Sequence, residues 1–88
     1  MSASSLAVVF LGNDPWSVPS LRALVGSRHR VSCALTFPPR PAGRGSKLRP
    51  TAVADAARSL AVPLVEVESV RSERGRDALV RAREGRFR

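Results

Sequence analysis

Thr36-Phe-Pro-Pro-Arg-Pro-Ala-Gly-Arg-Gly-Ser-Lys-Leu-Arg-Pro-Thr51 holds four of the seven prolines of this chain, two of its six glycines, its only lysine and no acid. A run so dense in proline and glycine cannot propagate a helix, and it lacks the backbone donors of a central strand. At sixteen residues it exceeds the usual connection in a compact domain, and connections of that length are either functional or disordered. Reading 36–51 as a connection decides the fold, because it splits the chain into strand–helix–strand before it and helix–strand–helix after it.

Upstream, Leu6-Ala-Val-Val-Phe-Leu11 is a continuous apolar run, the pattern of a strand buried on both faces. Gly12 ends it, and Asn13 or Asp14 can cap a helix whose first position is Pro15. Trp16, Val18, Leu21, Leu24 and Val25 recur at helical spacing, so this helix has one apolar face and runs to about Gly26. Val31-Ser-Cys-Ala-Leu-Thr36 is a second strand. Strand, helix and strand of these lengths make a βαβ unit with parallel strands.

Downstream, Thr51 can cap a helix over 52–60 that turns Val53, Ala56, Ala57 and Leu60 inward. A third strand is expected over 63–67, a turn over 69–72, and a helix over 74–83 with Ala78, Leu79 and Ala82 as its narrow apolar stripe. Gly85 would cap that helix. Residues 1–5 read as a frayed tail, 6–84 as one partial domain, and 85–88 have no assignable role. The fold class is α/β: a Rossmann-like parallel sheet in the order β-α-β-long loop-α-β-α. The first strand reads as central, and a doubly wound sheet returns past its first strand after the third. The expected unit is therefore an incomplete half of a domain.

Eighty-eight residues with 43% apolar content suit one small globular unit. The net charge of +8 is uneven: residues 1–27 are neutral, 28–50 carry +6 and 51–88 carry +2. A patch of this kind favours phosphate-bearing partners, nucleic acid first. Charge alone leaves a solvated basic loop equally open. Cys33 is the only cysteine, which excludes an internal disulfide and suits the cytoplasm. No apolar run reaches the ~20 residues of a membrane span, and the first residues lack a signal-peptide pattern.

Gly12-Asn13-Asp14 lies at a strand-to-helix turn, where small-molecule and phosphate sites form in open α/β sheets. It is not G-x-G-x-x-G. Gly43-Arg-Gly-Ser-Lys47 has the wrong spacing for a phosphate loop. His29 lies between two arginines with no orienting partner in view. Asp14, Asp55, Glu66 and Glu68 show no paired-carboxylate or metal-ligand spacing. Metal binding and covalent catalysis therefore have no candidates, and no catalytic residue is assigned.

Pro41-Ala-Gly-Arg-Gly-Ser-Lys-Leu-Arg-Pro50 resembles the P-A-G-R-G-x-K-L-x-P signature of methionyl-tRNA formyltransferases. Val9-Phe-Leu-Gly12 resembles the VF-x-G opening strand of that family, and Trp16-Ser-Val-Pro-Ser-Leu21 resembles its F-A-V-P-x-L helix start. Thr36 matches the start of its T-Q-P-D-R-P run, and Val62-Pro63 its apolar-Pro pair before the third strand. The resemblance covers about residues 6–70. The chain departs from the family at Asn13-Asp14, where the family has T-P, and at Phe37-Pro-Pro39, where it has Q-P-D.

The resemblance implies a monomeric cytoplasmic enzyme, without metal or membrane. It transfers a formyl group from 10-formyltetrahydrofolate to the amino group of methionine on initiator tRNA. By motif position, Arg44 is the arginine central to tRNA contact. Arg40, Lys47 and Arg49 are supporting phosphate contacts, and Gly43 and Gly45 let the backbone approach the nucleic acid. Gly12, Asn13 and Asp14 form the substrate-proximal turn. The family's catalytic Asn, His and Asp, and its Ser-Leu-Leu-Pro segment near the folate site, are expected beyond residue 88. Glu84-Gly-Arg-Phe-Arg88 stands where a Val/Ile-rich strand ending in A-Y-G is expected. The sequence thus reads as a truncated or frameshifted product, inactive alone. A non-catalytic RNA-binding remnant and a non-functional product are the alternatives.

Overall fold

A computed structural model describes residues 6–42 and 47–84 of the chain. Among these residues the elements are β1 (Ala7–Leu11), α1 (Val18–Val25), β2 (Arg30–Thr36), β3 (Arg40–Ala42), β4 (Lys47–Arg49), α2 (Ala52–Ser59), β5 (Leu64–Glu66) and α3 (Glu73–Arg83). The main sheet has the order β1-β2-β5 with both pairings parallel, and β3 and β4 form a separate antiparallel pair. This is the Rossmann-like α/β arrangement that the sequence implies. The expected frayed N-terminus, the middle of the long connection and the Gly85 cap lie outside the described residues.

Helices cover the sheet on both faces. On one side Ala34 of β2 packs with Leu21 of α1 and Val53, Ala56 and Ala57 of α2. On the other, Cys33 and Leu35 pack with Val67 and with Ala78 and Ala82 of α3. Burying a Leu or Val completely stabilises by about 1.5–3 kcal/mol, and Leu21 and Val53 are both fully buried. A β-bulge permits this two-sided packing. Val8 pairs with Val31 but Val9 pairs with Cys33, so Ser32 is the extra residue. Strict alternation would place Val31 and Cys33 on one face; the bulge sends Val31 to the α1–α2 cluster and Cys33 to α3. The Ser32 hydroxyl, at the bulge, is buried without a hydrogen-bond partner.

Residues 15–17 form one turn of 3-10 helix, and α1 proper begins at Val18 with Pro19 in its first turn. The change of period from 3.0 to 3.6 residues rotates Trp16 off the inner face expected for it, and its side chain is 81% exposed. Helix α2 starts as expected, with the Thr51 hydroxyl accepting from the Ala54 N–H at 3.0 Å. It ends in a Schellman motif: Val62 N–H donates to the Ala57 carbonyl and Ala61 N–H to that of Arg58, with Ala61 at φ 57°.

Helix α3 is capped by Ser72, whose hydroxyl accepts from the Gly75 N–H. Its buried stripe is Gly75, Ala78 and Ala82 rather than the expected Ala78, Leu79 and Ala82. Leu79 is one residue, or about 100°, round the helix from Ala78, and it is 38% exposed. Small residues at i, i+3 and i+7 let the backbone of α3 lie close against the sheet. Strand β1, expected to be flanked on both sides, pairs only with β2 among the described residues. Leu11 at its end is 52% exposed.

Candidate nucleic-acid interface

The candidate site is built at the carboxyl ends of the parallel strands, where open α/β sheets place their ligands. Gly12 follows β1, and its N–H extends the ladder to the Leu35 carbonyl at 3.2 Å. A Cβ at Gly12 would stand 3.1 Å from the Phe10 ring and the Ser17 side chain. The small residue is what lets the helix start fold back on the strand. Asn13 then turns its side chain across to the end of β2. Its Oδ1 accepts from the Phe37 N–H at 2.7 Å and the Thr36 hydroxyl at 2.9 Å. The Thr36 hydroxyl also meets that of Thr51 at 2.5 Å. Neither Asn13 nor Asp14 caps the following turn by its side chain.

A cleft of about 80 Å³ opens here between Leu11, Gly12, Asn13, Thr36, Val67 and Ser69. Small-molecule sites run to several hundred Å³, so the described residues enclose a recess for only a few atoms. Gly12 and Asn13 line it; Asp14 does not.

The described parts of the long connection, β3 and β4, pair as antiparallel strands of a hairpin rather than as structureless chain. Its register pairs Arg40 with Arg49, Pro41 with Leu48 and Ala42 with Lys47. Alternation along each strand then puts Arg40, Lys47 and Arg49 on one face and Pro41 and Leu48 on the other. A two-stranded ribbon has an outward row on each strand, so Pro41 is tolerated as on a sheet edge. Lys47 and Arg49 are exposed, and neither pairs with an acid among the described residues. Arg40 lies over the Phe37 ring at 4.2 Å and pairs with Glu68 at 3.3 Å. Gly43, Arg44 and Gly45 lie outside the described residues. Sequence reading missed the hairpin and the Phe37–Arg40–Glu68 contact. A signal for the hairpin was present: Arg-Pro-Ala and Lys-Leu-Arg flank a glycine-rich tetrapeptide.

The other chemistry-bearing residues lie apart. His29 sits at the amino ends of the strands, opposite the cleft, and its Nδ1 accepts from the Leu6 N–H at 3.0 Å. That bond gives the ring an orienting partner that the sequence did not reveal. Burial pushes the Cys33 thiol up from its ordinary pKa, against a smaller lowering pull from the Arg81 guanidinium. Arg58 engages Glu66 at 3.5 Å and Asp55 at 4.0 Å. No three His, Cys, Asp or Glu side chains among the described residues cluster as metal ligands, and no described helix is long and apolar enough to cross a membrane.

No protein-family model matches the chain. It is 43% identical over 68 residues, 77% of its length, to a methionyl-tRNA formyltransferase of Methylobacillus flagellatus, covering 22% of that protein. A protein of the same name from Coxiella burnetii is 41% identical over 76 residues, 86% of this chain and 24% of that one. One from Roseobacter denitrificans is 44% identical over 68 residues, 77% of this chain and 22% of its own. The chain thus spans under a quarter of the length of these curated relatives.

Proposed function

Because the chain belongs to the methionyl-tRNA formyltransferase family, we propose that it supplies the part of such an enzyme that grips the acceptor arm of initiator methionyl-tRNA. The observation that carries this reading is the hairpin face with Arg40, Lys47 and Arg49 side by side. Arg40 and Arg49 stand directly opposite each other, and like charges so placed destabilise a strand pair by roughly 0.2–1 kcal/mol. A phosphate received between them turns that repulsion into two attractions, with bidentate geometry open to each guanidinium. Arg44, in the segment joining β3 and β4, adds the contact that the family resemblance assigns it. Gly43 and Gly45 beside it keep the backbone slender where RNA approaches.

In the whole enzyme the methionine amine attacks the formyl carbon of 10-formyltetrahydrofolate. A C–N bond forms, the bond to N10 breaks, and the proton lost by the amine ends on tetrahydrofolate. A proton acceptor and polar groups that stabilise the tetrahedral intermediate complete the reaction. The cleft beside Gly12 and Asn13 suits a few-atom group at the end of the bound RNA. On this reading the chain contributes tRNA binding, and formyl transfer belongs to the whole enzyme.

Two assays test this. Labelled tRNA should bind the 88-residue chain in fluorescence anisotropy, with an acceptor-stem minihelix competing as well as whole tRNA. Methionyl-tRNA incubated with the chain and 10-formyltetrahydrofolate should remain unformylated. Competition by an anticodon stem-loop but not by the minihelix would overturn the acceptor-arm reading.

A further inference from the structure

We propose that the hydrogen-bond chain Thr51–Thr36–Asn13 is a clasp that fixes the direction of the basic hairpin relative to the strand-end cleft, with Thr36 as its positioning residue. The clasp stands on geometry. Its consequence, that RNA held by the hairpin is aimed at the cleft, rests on the tRNA-gripping reading above.

Thr36 and Thr51 are fifteen residues apart and bound the hairpin on either side, yet their hydroxyl oxygens lie 2.5 Å from each other. Each hydroxyl has one hydrogen to give, which settles the direction of the whole chain. The Phe37 N–H must be received by an oxygen, so the Asn13 amide is oriented with Oδ1 toward it. The Thr36 hydroxyl donates to the same Oδ1 and has no second hydrogen. It therefore accepts from Thr51, whose oxygen accepts in turn from the Ala54 N–H at the start of α2. Thr36 is only 3% exposed, and breaking a bond there leaves a polar group unsatisfied away from water.

The surroundings make this clasp the natural control of the hairpin's angle. Pro38 and Pro39 lead into β3 and Pro50 follows β4; their locked φ angles stiffen both arms. The remaining described side-chain tie, Arg40 to Glu68, joins two exposed groups, and such pairs hold weakly. A stiff lever with one buried tie at its base is aimed by that tie. Asn13 lies in the cleft wall as well, so one residue bears on both parts.

The test compares Thr36→Val and Thr36→Ser in the full chain. Valine fills the same space and removes the middle of the clasp. It leaves the Thr51 cap on Ala54 in place and takes from Asn13 Oδ1 one of its two donors, so the Asn13–Phe37 bond remains but is held less firmly. With Thr36→Val, amide exchange at Phe37 should speed up roughly tenfold, while Ala34 in the core and Ala54 in α2 exchange as before. Affinity for tRNA should fall by a similar factor at unchanged salt dependence, because no charge is lost. Thr36→Ser should restore both. Asn13→Ala, in a partly exposed turn, should reproduce the valine phenotype from the other end and serves if Thr36→Val does not fold. Equal Phe37 exchange in Thr36→Val and the unsubstituted chain would overturn the clasp; so would faster exchange spread to Ala34, which makes Thr36 a core residue only. If the unsubstituted chain binds no tRNA, the aiming role falls with the reading it rests on, and the exchange comparison still decides the clasp.

Discussion

Replacing Gly75 by alanine should destabilise the fold, although helix propensity alone gives the opposite sign. In an exposed helix interior Gly→Ala stabilises by about 1 kcal/mol. Gly75, in the first turn of α3, is buried against the preceding turn. A Cβ built there would stand 2.6 Å from the Ser69 carbonyl oxygen, 2.7 Å from Val70 Cα and 2.8 Å from the Val70 carbonyl carbon. All three are backbone atoms, which cannot swing aside as a side-chain tip does, so the overpacking cost lies near the upper end of the ~1–3 kcal/mol range. The net loss is about 2 kcal/mol, or a drop in Tm of roughly 8–16 °C for a domain of this size. Gly26→Ala is the control. Gly26 has φ −81°, and its nearest neighbour for a Cβ is the Arg22 carbonyl at 3.5 Å, ordinary contact. Thermal melts followed by circular dichroism should show Gly26→Ala unchanged or more stable and Gly75→Ala clearly less stable. Matching gains in Tm would refute the seating of α3 on residues 69–70. The seat also matters to the site, since Ser69 lines the strand-end cleft.

Ala61→Gly should raise stability by about 0.5–1 kcal/mol, because alanine in the left-handed region costs roughly 1–2 kcal/mol, part of which glycine gives back as unfolded-chain entropy; urea titration measures it. Glu68→Gln removes the acid partner of Arg40; stability should change by less than ~1 kcal/mol, while tRNA binding tightens because Arg40 no longer has to leave Glu68 to reach a phosphate, and the log–log salt slope, set by the same phosphate contacts, stays as it was. Cys33 titrates in the folded state above its ordinary value of 9.0 because it is buried. The unfolded chain therefore loses the thiol proton first as pH rises. Stability contributed by the protonated thiol is fully present below about pH 9 and is lost progressively above it. Cys33→Ala should flatten that alkaline limb, and native Cys33 should react with alkylating agents only at the rate of opening.

The apolar runs made the main sheet legible: residues 6–11, 31–36 and 63–67 had no other reading, and the three βα alternations fix a parallel layer. Thr51 as a cap was also readable, since only its position between Pro50 and an apolar helical face was needed. Other features depended on backbone events that leave no periodic trace. The bulge at Ser32 shifts register by one residue, and the 3-10 turn at 15–17 moves Trp16 into solvent. Leu79 was assigned inward for its hydrophobicity, whereas glycine at 75 lets the helix lie flat on its small residues. The hairpin was hidden by its prolines, which argue against a central strand but not against a ribbon with two free edges. Asn13 was noticed for its place in the strand-end turn. That its oxygen reaches Thr36 and Phe37, over twenty residues onward, follows from strand adjacency and not from any local motif.

Most directly, the central claim is tested by the salt dependence of tRNA binding in the unsubstituted chain and in the Lys47→Ala/Arg49→Ala double variant. Four phosphate contacts from Arg40, Arg44, Lys47 and Arg49 correspond to a log–log slope of about −2.8 to −3.6, and removing two of them should flatten it by about 1.4–1.8. Affinity at low salt should fall in step while the melting temperature stays put, since both side chains are exposed. Equal slopes and equal affinities for the two proteins would contradict the account and remove the hairpin as the RNA contact.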